Sequence, residues 1–297
     1  MSLIETALDK LRRSEAAAAA AAELQKAPAT PRAASGVTPL VYPAAPAPAI
    51  EDESRPRVLV SNAALRAAGY MPEESMERRF ADHYRRVKRP LIEKALAGTS
   101  DMRLIMVSSA LPGDGKTFTS INLALSMARE KDISVLLVDA DGARARISEV
   151  LGIRKQPGLL DALADDSIDV ESLVMRTDVR GLEVLPAGRF IENGTELIAS
   201  GRMAQISVRL TAHNPRRLVL FDSPPLLVSS EARVLTRMPG QVVLVVRASV
   251  TPRRAILDAV SQVDRQKLQG LVVNQVRDVP GEDYYGYPPY EPTSDSA

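Results

Sequence analysis

Short apolar, often β-branched runs recur through the middle of the chain, at Leu104–Val107, Val135–Val138, Leu182–Leu185, Leu218–Phe221, Val242–Val246 and Leu271–Val273. Between most of them the apolar positions shift to helical spacing, as over Phe118–Arg129 and Arg253–Val263. Strands alternating with helices predict parallel strands joined by crossover helices, an α/β fold with a mostly parallel sheet flanked by helices. Ahead of this core, a short Val58–Val60 run precedes a helical pattern over Glu77–Leu96, which Pro90 is expected to kink or restart.

The two ends lack this alternation. Ser2 and Glu5 have capping-box spacing. Ile4, Leu8 and Leu11 share a helical face beside Lys10, Arg12 and Arg13, and the alanine run Ala16–Ala22 extends the helix by propensity. This segment reads either as a solvated, fraying helix or as a docking helix for a partner or membrane surface. Gln25–Arg57 is rich in Pro and Ala and reads as an extended, mobile linker. Val279–Ala297 has no apolar periodicity and reads as disordered. The expected organisation is therefore an N-terminal helix over 1–24, a linker over 25–57, a helical lead-in over 58–100, a nucleotide-binding domain over 101–278 and a tail over 279–297.

Composition narrows the chemistry. The 297 residues carry 38 Lys+Arg against 37 Asp+Glu, so nothing global favours nucleic acid as a partner. Cysteine is absent, which excludes disulfides, thiolate metal sites and Cys nucleophiles. With only His83 and His213 present, a His-based zinc site is not expected. No apolar run approaches the roughly 20 residues of a membrane-spanning helix, and charged residues interrupt the N-terminus before any signal-peptide core. The expected location is the cytoplasm.

The first core strand runs into Ala110–Thr117, which fits the Walker A pattern with Ala110 where Gly is usual. Gly113 and Gly115 let backbone amides curl round phosphates, and the loop's candidate contacts extend through Asp114 to Phe118 at the helix start. Lys116 would reach the β- and γ-phosphates, and the Thr117 hydroxyl would ligate Mg²⁺. Asp139 and Asp141 end the second strand, and Asp222 ends a later one. Ligands of open parallel sheets sit at the carboxyl ends of the strands, so the three carboxylates are expected to converge near the nucleotide's metal. Asp222 fits a Walker B acid. Asp141 could alternatively be a turn former. Asn274, at the end of the last strand, could read the adenine edge or be an ordinary strand-end Asn.

The Walker A loop, the Asp139-Ala140-Asp141 strand end, the run Phe221–Pro225 and the cluster Tyr284, Tyr285, Tyr287 and Tyr290 together resemble the bacterial tyrosine kinases of exopolysaccharide and capsule loci. The likeness covers roughly Glu77 to Tyr290. The opening Met1–Glu15 and the tyrosine tail look most like the subfamily found beside exosortase (PEP-CTERM) loci. The resemblance implies a P-loop domain of the deviant Walker type and ATP- and Mg²⁺-dependent autophosphorylation of the four tail tyrosines, in trans, within a ring-like homo-oligomer. It implies a membrane chain-length regulator (polysaccharide co-polymerase) as activator, a cognate phosphotyrosine phosphatase, recruitment to the inner membrane by a partner, and control of polysaccharide polymerisation or export. Carried over by residue, Lys116 and Thr117 bind phosphate and metal, Asp139 accepts the tyrosine proton or organises the metal, and Asp141 and Asp222 act on Mg²⁺ or its waters. Asp82, Arg85 and Lys88 resemble the family's Glu-x-x-Arg-x-x-Arg oligomerisation helix, with Asp and Lys as departures.

A division-site or partition ATPase is the main competing reading. Those proteins place a signature lysine five residues before the Walker A lysine, where this chain has Leu111, and they lack a tyrosine tail. The guanine-reading Asn-Lys-x-Asp is absent after Asn274, and no His-Arg-Asp or Asp-Phe-Gly segment of a eukaryotic-type kinase occurs.

Overall fold

A computed structural model describes residues 55–276 apart from Asn193. The expectations for the N-terminal helix, most of the linker and the tyrosine tail lie outside the described residues. Within them, the predicted runs fall inside strands β2 (Leu104–Ser109), β3 (Ser134–Asp139), β5 (Leu182–Leu185), β6 (Arg217–Asp222), β7 (Gln241–Arg247) and β8 (Leu268–Asn274), and the Val58–Val60 run overlaps β1 (Arg57–Val58). Sequence reasoning missed β4 (Met175–Thr177), which pairs antiparallel with β5; the other ladders are parallel. One eight-stranded sheet results, in the order β1-β4-β5-β3-β6-β2-β7-β8.

The central strands are buried on both faces, which is why they read as continuous apolar runs. Leu104 and Met106 of β2, with Val219 and Phe221 of β6, enter the core on one face. Ile105, Val107, Leu218 and Leu220 enter the core on the other. In chain order the helices are α1 (Asn62–Ala67), α2 (Glu77–Ala97), α3 (Lys116–Met127), α4 (Arg146–Val150), α5 (Leu159–Ala164), α6 (Gly194–Ile198), α7 (Gly201–Ala212), α8 (Ser230–Leu235) and α9 (Arg253–Val260). No helix among the described residues is long and apolar enough to cross a membrane.

Helix α2 decides one of the two outcomes expected at Pro90. It runs unbroken through Pro90 and does not restart there. Proline removes the bond to the carbonyl four residues back. That carbonyl belongs to Arg86, and Arg86 and Pro90 both lie on the exposed face, where water can serve the freed oxygen. The opposite face buries Tyr84, Lys88, Leu91 and Ala95 at 4-3-4 spacing, so packing holds the helix together. Lys88 itself points inward: its ammonium donates to the Ser126 carbonyl near the end of α3 at 2.6 Å and pairs with Glu130 at 2.7 Å. It is therefore withdrawn from the outer face, while Asp82 and Arg85 stay exposed as an ion pair at 2.8 Å.

Candidate active site

The loop after β2 turns into α3 through two glycines with left-handed backbone, Gly113 at φ 88° and Gly115 at φ 96°. Side chains rarely adopt that conformation, and a Cβ at Gly115 would also collide with the Asn274 side chain. Asp114 fastens the loop. Its carboxylate accepts from the Leu111 amide at 3.0 Å and from the Thr251 hydroxyl at 2.7 Å. Asn274 donates to the Asp114 carbonyl at 3.0 Å and accepts from the Gln275 amide at 2.9 Å. Asn274 thus braces the phosphate loop in this state. Phe118 packs edge-to-face on Phe80 of α2, ring centroids 6.0 Å apart, which leaves its main chain as the part that faces the loop.

Parallel register brings the acids together. Asp139 ends β3 directly beside Asp222 at the end of β6, and Asp222 is level with Val107 of β2, the strand that feeds the loop. The Lys116 ammonium lies 2.8 Å from the Asp141 carboxylate. The Thr117 and Ser120 hydroxyls donate to the two Asp222 oxygens at 2.7 and 3.0 Å. Asp139 accepts from the amide and hydroxyl of Ser148 in α4 at 2.8 and 2.7 Å through one oxygen; its other oxygen is buried without a partner. All four charged residues are buried. Sequence reasoning missed Ser120, Ser148 and Thr251. Ser120 was the most accessible of these, lying one helical turn beyond Thr117.

Three carboxylates and one ammonium in so dry a site perturb one another. Burial pushes the Lys116 ammonium down, but the charges of Asp222, Asp141 and Asp139 outweigh it and hold the ammonium above its ordinary range. Burial raises Asp222, against the opposing pull of Lys116 and Thr117. Burial, reinforced by the charge on Asp222, raises Asp139 to about 7 despite the Ser148 bonds. The site is thus short of positive charge, and its donors are hard oxygens. That set fits Mg²⁺, which keeps several waters and takes one or two protein oxygens beside phosphate oxygens. Thr117, Asp222 and Asp141 are the residues that would hold it, with phosphate drawing Lys116 off Asp141.

The raised Asp139 predicts a stability trend. Between its ordinary value near 4 and about 7, the folded chain keeps a proton that the unfolded chain has released. Native stability therefore falls as pH rises through that window and levels off above it. Asp139→Asn removes the charge and can still accept from Ser148. Its melting temperature should gain on the parent by roughly 5 °C between pH 5 and pH 8; parallel melting curves across that range would show that Asp139 does not titrate there.

The AAA domain family profile matches residues 102–267, more than half of the chain and the site just described apart from Asn274, Gln275 and Phe80. The chain belongs to that family. Among its relatives, the tyrosine-protein kinase wzc of Salmonella typhimurium is 31% identical over 196 residues, 65% of this chain and 27% of that protein. The tyrosine-protein kinase YwqD of Bacillus subtilis is 29% identical over 188 residues, 63% of this chain and 77% of that protein. The kinase domain of the Escherichia coli tyrosine kinase ETK has the same fold, with a TM-score of 0.56 at 28% identity over 64% of this chain and 74% of that one. The motif-based resemblance to bacterial tyrosine kinases is borne out, and so is the P-loop fold. The chain spans about a quarter of the length of the larger curated relatives it matches.

Proposed function

We propose that this chain is an ATP- and Mg²⁺-dependent protein-tyrosine kinase that phosphorylates the Tyr284, Tyr285, Tyr287 and Tyr290 cluster in trans within a homo-oligomer. The observation that carries the reading is the convergence of Lys116, Thr117, Asp141 and Asp222 at the carboxyl ends of β2, β3 and β6. Phosphoryl transfer needs positioning and charge neutralisation more than covalent help from the protein. The loop amides and the α3 N-terminus bind the phosphates. Lys116 exchanges Asp141 for the β- and γ-phosphate oxygens, and Mg²⁺ supplies further neutralisation of the same charge. Asp139, poised near 7 with one oxygen free of Ser148, takes the phenol proton once the site rearranges to admit it.

The resemblance to kinases of polysaccharide loci supports the wider setting. In it, the chain works in the cytoplasm, a membrane chain-length regulator recruits and activates it, a phosphotyrosine phosphatase resets it, and the cycle governs exopolysaccharide polymerisation or export. The N-terminal segment, with few basic residues, favours a protein partner over bare lipid. Each phosphate adds roughly −1.5 to −2 charges to the tail, which then leaves an acidic cleft and loosens the oligomer. The experiment compares the full chain with one ending at Pro280. With Mg²⁺-ATP, only the full chain should take up phosphate and lose oligomeric mass, while both bind nucleotide. Equal phosphotyrosine on the shortened chain would remove the tail as substrate.

A further inference from the structure

Strand β8 closes one end of the sheet, with β7 on one side and no strand among the described residues on the other. Open edges present unpaired amides and carbonyls and are usually blunted or covered. This one is not blunted by its side chains. Leu271 and Val273 are 45% and 54% exposed, and Val276 just beyond is 63% exposed. Register places Leu271 level with Leu244 and Val273 level with Val246, on the face that carries the α9 side of the core. Val272 points to the other face and is packed. The chain continues past Val276 for 21 residues, from the end of this same strand.

The sequence of that continuation fits the edge. Gln275 already has a left-handed backbone, φ 55°, which suits a reversal. Pro280-Gly281 is a turn dipeptide. After it, Tyr285 and Tyr287 are two apart, so in an extended strand they share one face. A single antiparallel register then sets Tyr285 opposite Val273, Gly286 opposite Val272 and Tyr287 opposite Leu271. Pro288 and Pro289 stop the pairing, as proline does in edge strands.

Resting on the kinase reading, we infer that the unphosphorylated tail docks on the free edge of β8 as a ninth strand, laying Tyr285 and Tyr287 over Leu271 and Val273. Main-chain hydrogen bonds supply the affinity and the two rings cover the apolar strip. Tyr284 faces away and Tyr290 lies beyond the prolines, so both stay available to a kinase site. A phosphate on Tyr285 or Tyr287 cannot lie on that strip, so modification there prevents redocking. The docked state therefore sets an order: Tyr284 and Tyr290 are phosphorylated before Tyr285 and Tyr287.

Hydrogen exchange without ATP tests the docking independently of any kinase activity. Segment 268–276 should exchange about tenfold more slowly in the full chain than in the chain ending at Pro280. Leu271→Glu, at an exposed position that the fold tolerates, should raise exchange to the level of the shortened chain. Equal exchange in the full and shortened chains would overturn the docking. So would protection that survives truncation and grows with protein concentration, because a second copy would then cover the edge. With Mg²⁺-ATP, a time course in which Tyr285 and Tyr287 gain phosphate first overturns the order, whereas absence of any phosphate counts against the kinase reading and leaves the exchange result standing.

Discussion

Lys116→Met should reduce phosphate incorporation by about 10³-fold, close to abolition, because it removes the one ammonium that, among the described residues, sits with the three buried carboxylates. The lysine matters twice. On the proposed reading it neutralises the transferring group when nucleotide is bound, and without nucleotide it neutralises Asp141 at 2.8 Å. The variant therefore loses stability as well as activity. Removing one partner of a buried ion pair costs about 3–5 kcal/mol. The loss should be smaller near pH 6, where Asp139, with a value of about 7, is already largely protonated. Incorporation should be measured below the variant's melting temperature, with circular dichroism confirming the fold. A folded Lys116→Met chain that phosphorylates at the parent rate would show that the loop lysine takes no part in transfer.

Asp222→Asn is the second large expected effect, roughly 10²-fold or more on rate, and it differs in kind. An asparagine can accept from Thr117 through its oxygen and donate to Ser120 through its nitrogen, so the local bonds survive. Burial disfavours the charge on Asp222, so its removal should leave the ligand-free fold as stable or more stable. What goes is a charged hard-oxygen donor, and the Mg²⁺ concentration needed for half-maximal rate should rise strongly. Asp139→Asn should also slow transfer but leave the Mg²⁺ dependence and nucleotide affinity nearer the parent's, because Asp139 is bonded to Ser148 and not to the Thr117 hydroxyl. Identical Mg²⁺ titrations for the two variants would remove the distinction between metal holder and proton acceptor.

The residues that sequence reasoning placed correctly share a physical reason. Strands buried on both faces leave an uninterrupted apolar run, and a phosphate loop must follow such a strand with glycines where the backbone turns left-handed. β4 left no such trace, since it has three residues, one of them Arg176, and pairs antiparallel at the margin of the sheet. Local propensity allowed a kink or a restart at Pro90, and burial of Tyr84, Leu91 and Ala95 on the far face keeps the helix continuous there. Asn274 stood out by its place at a strand end, but its bond to the loop, like that of Thr251, was beyond local reading. They meet Asp114 across 160 and 137 residues, and only the β7–β8 edge of the sheet brings them to the loop. Lys88 matched a surface motif by spacing, yet the same helical period that defines the motif also turns this position onto α3.

Transfer of phosphate from this site to the chain's own tail tyrosines, as proposed, is open to direct measurement. Peptide mapping of the purified full chain after incubation with Mg²⁺-ATP measures it directly, with residues 278–297 recovered as one fragment. Successive additions of phosphate should be confined to Tyr284, Tyr285, Tyr287 and Tyr290, should depend on Mg²⁺ and should be missing from Lys116→Met. Phosphate located only on the core, or ATP consumed with no phosphotyrosine anywhere on the chain, would contradict it.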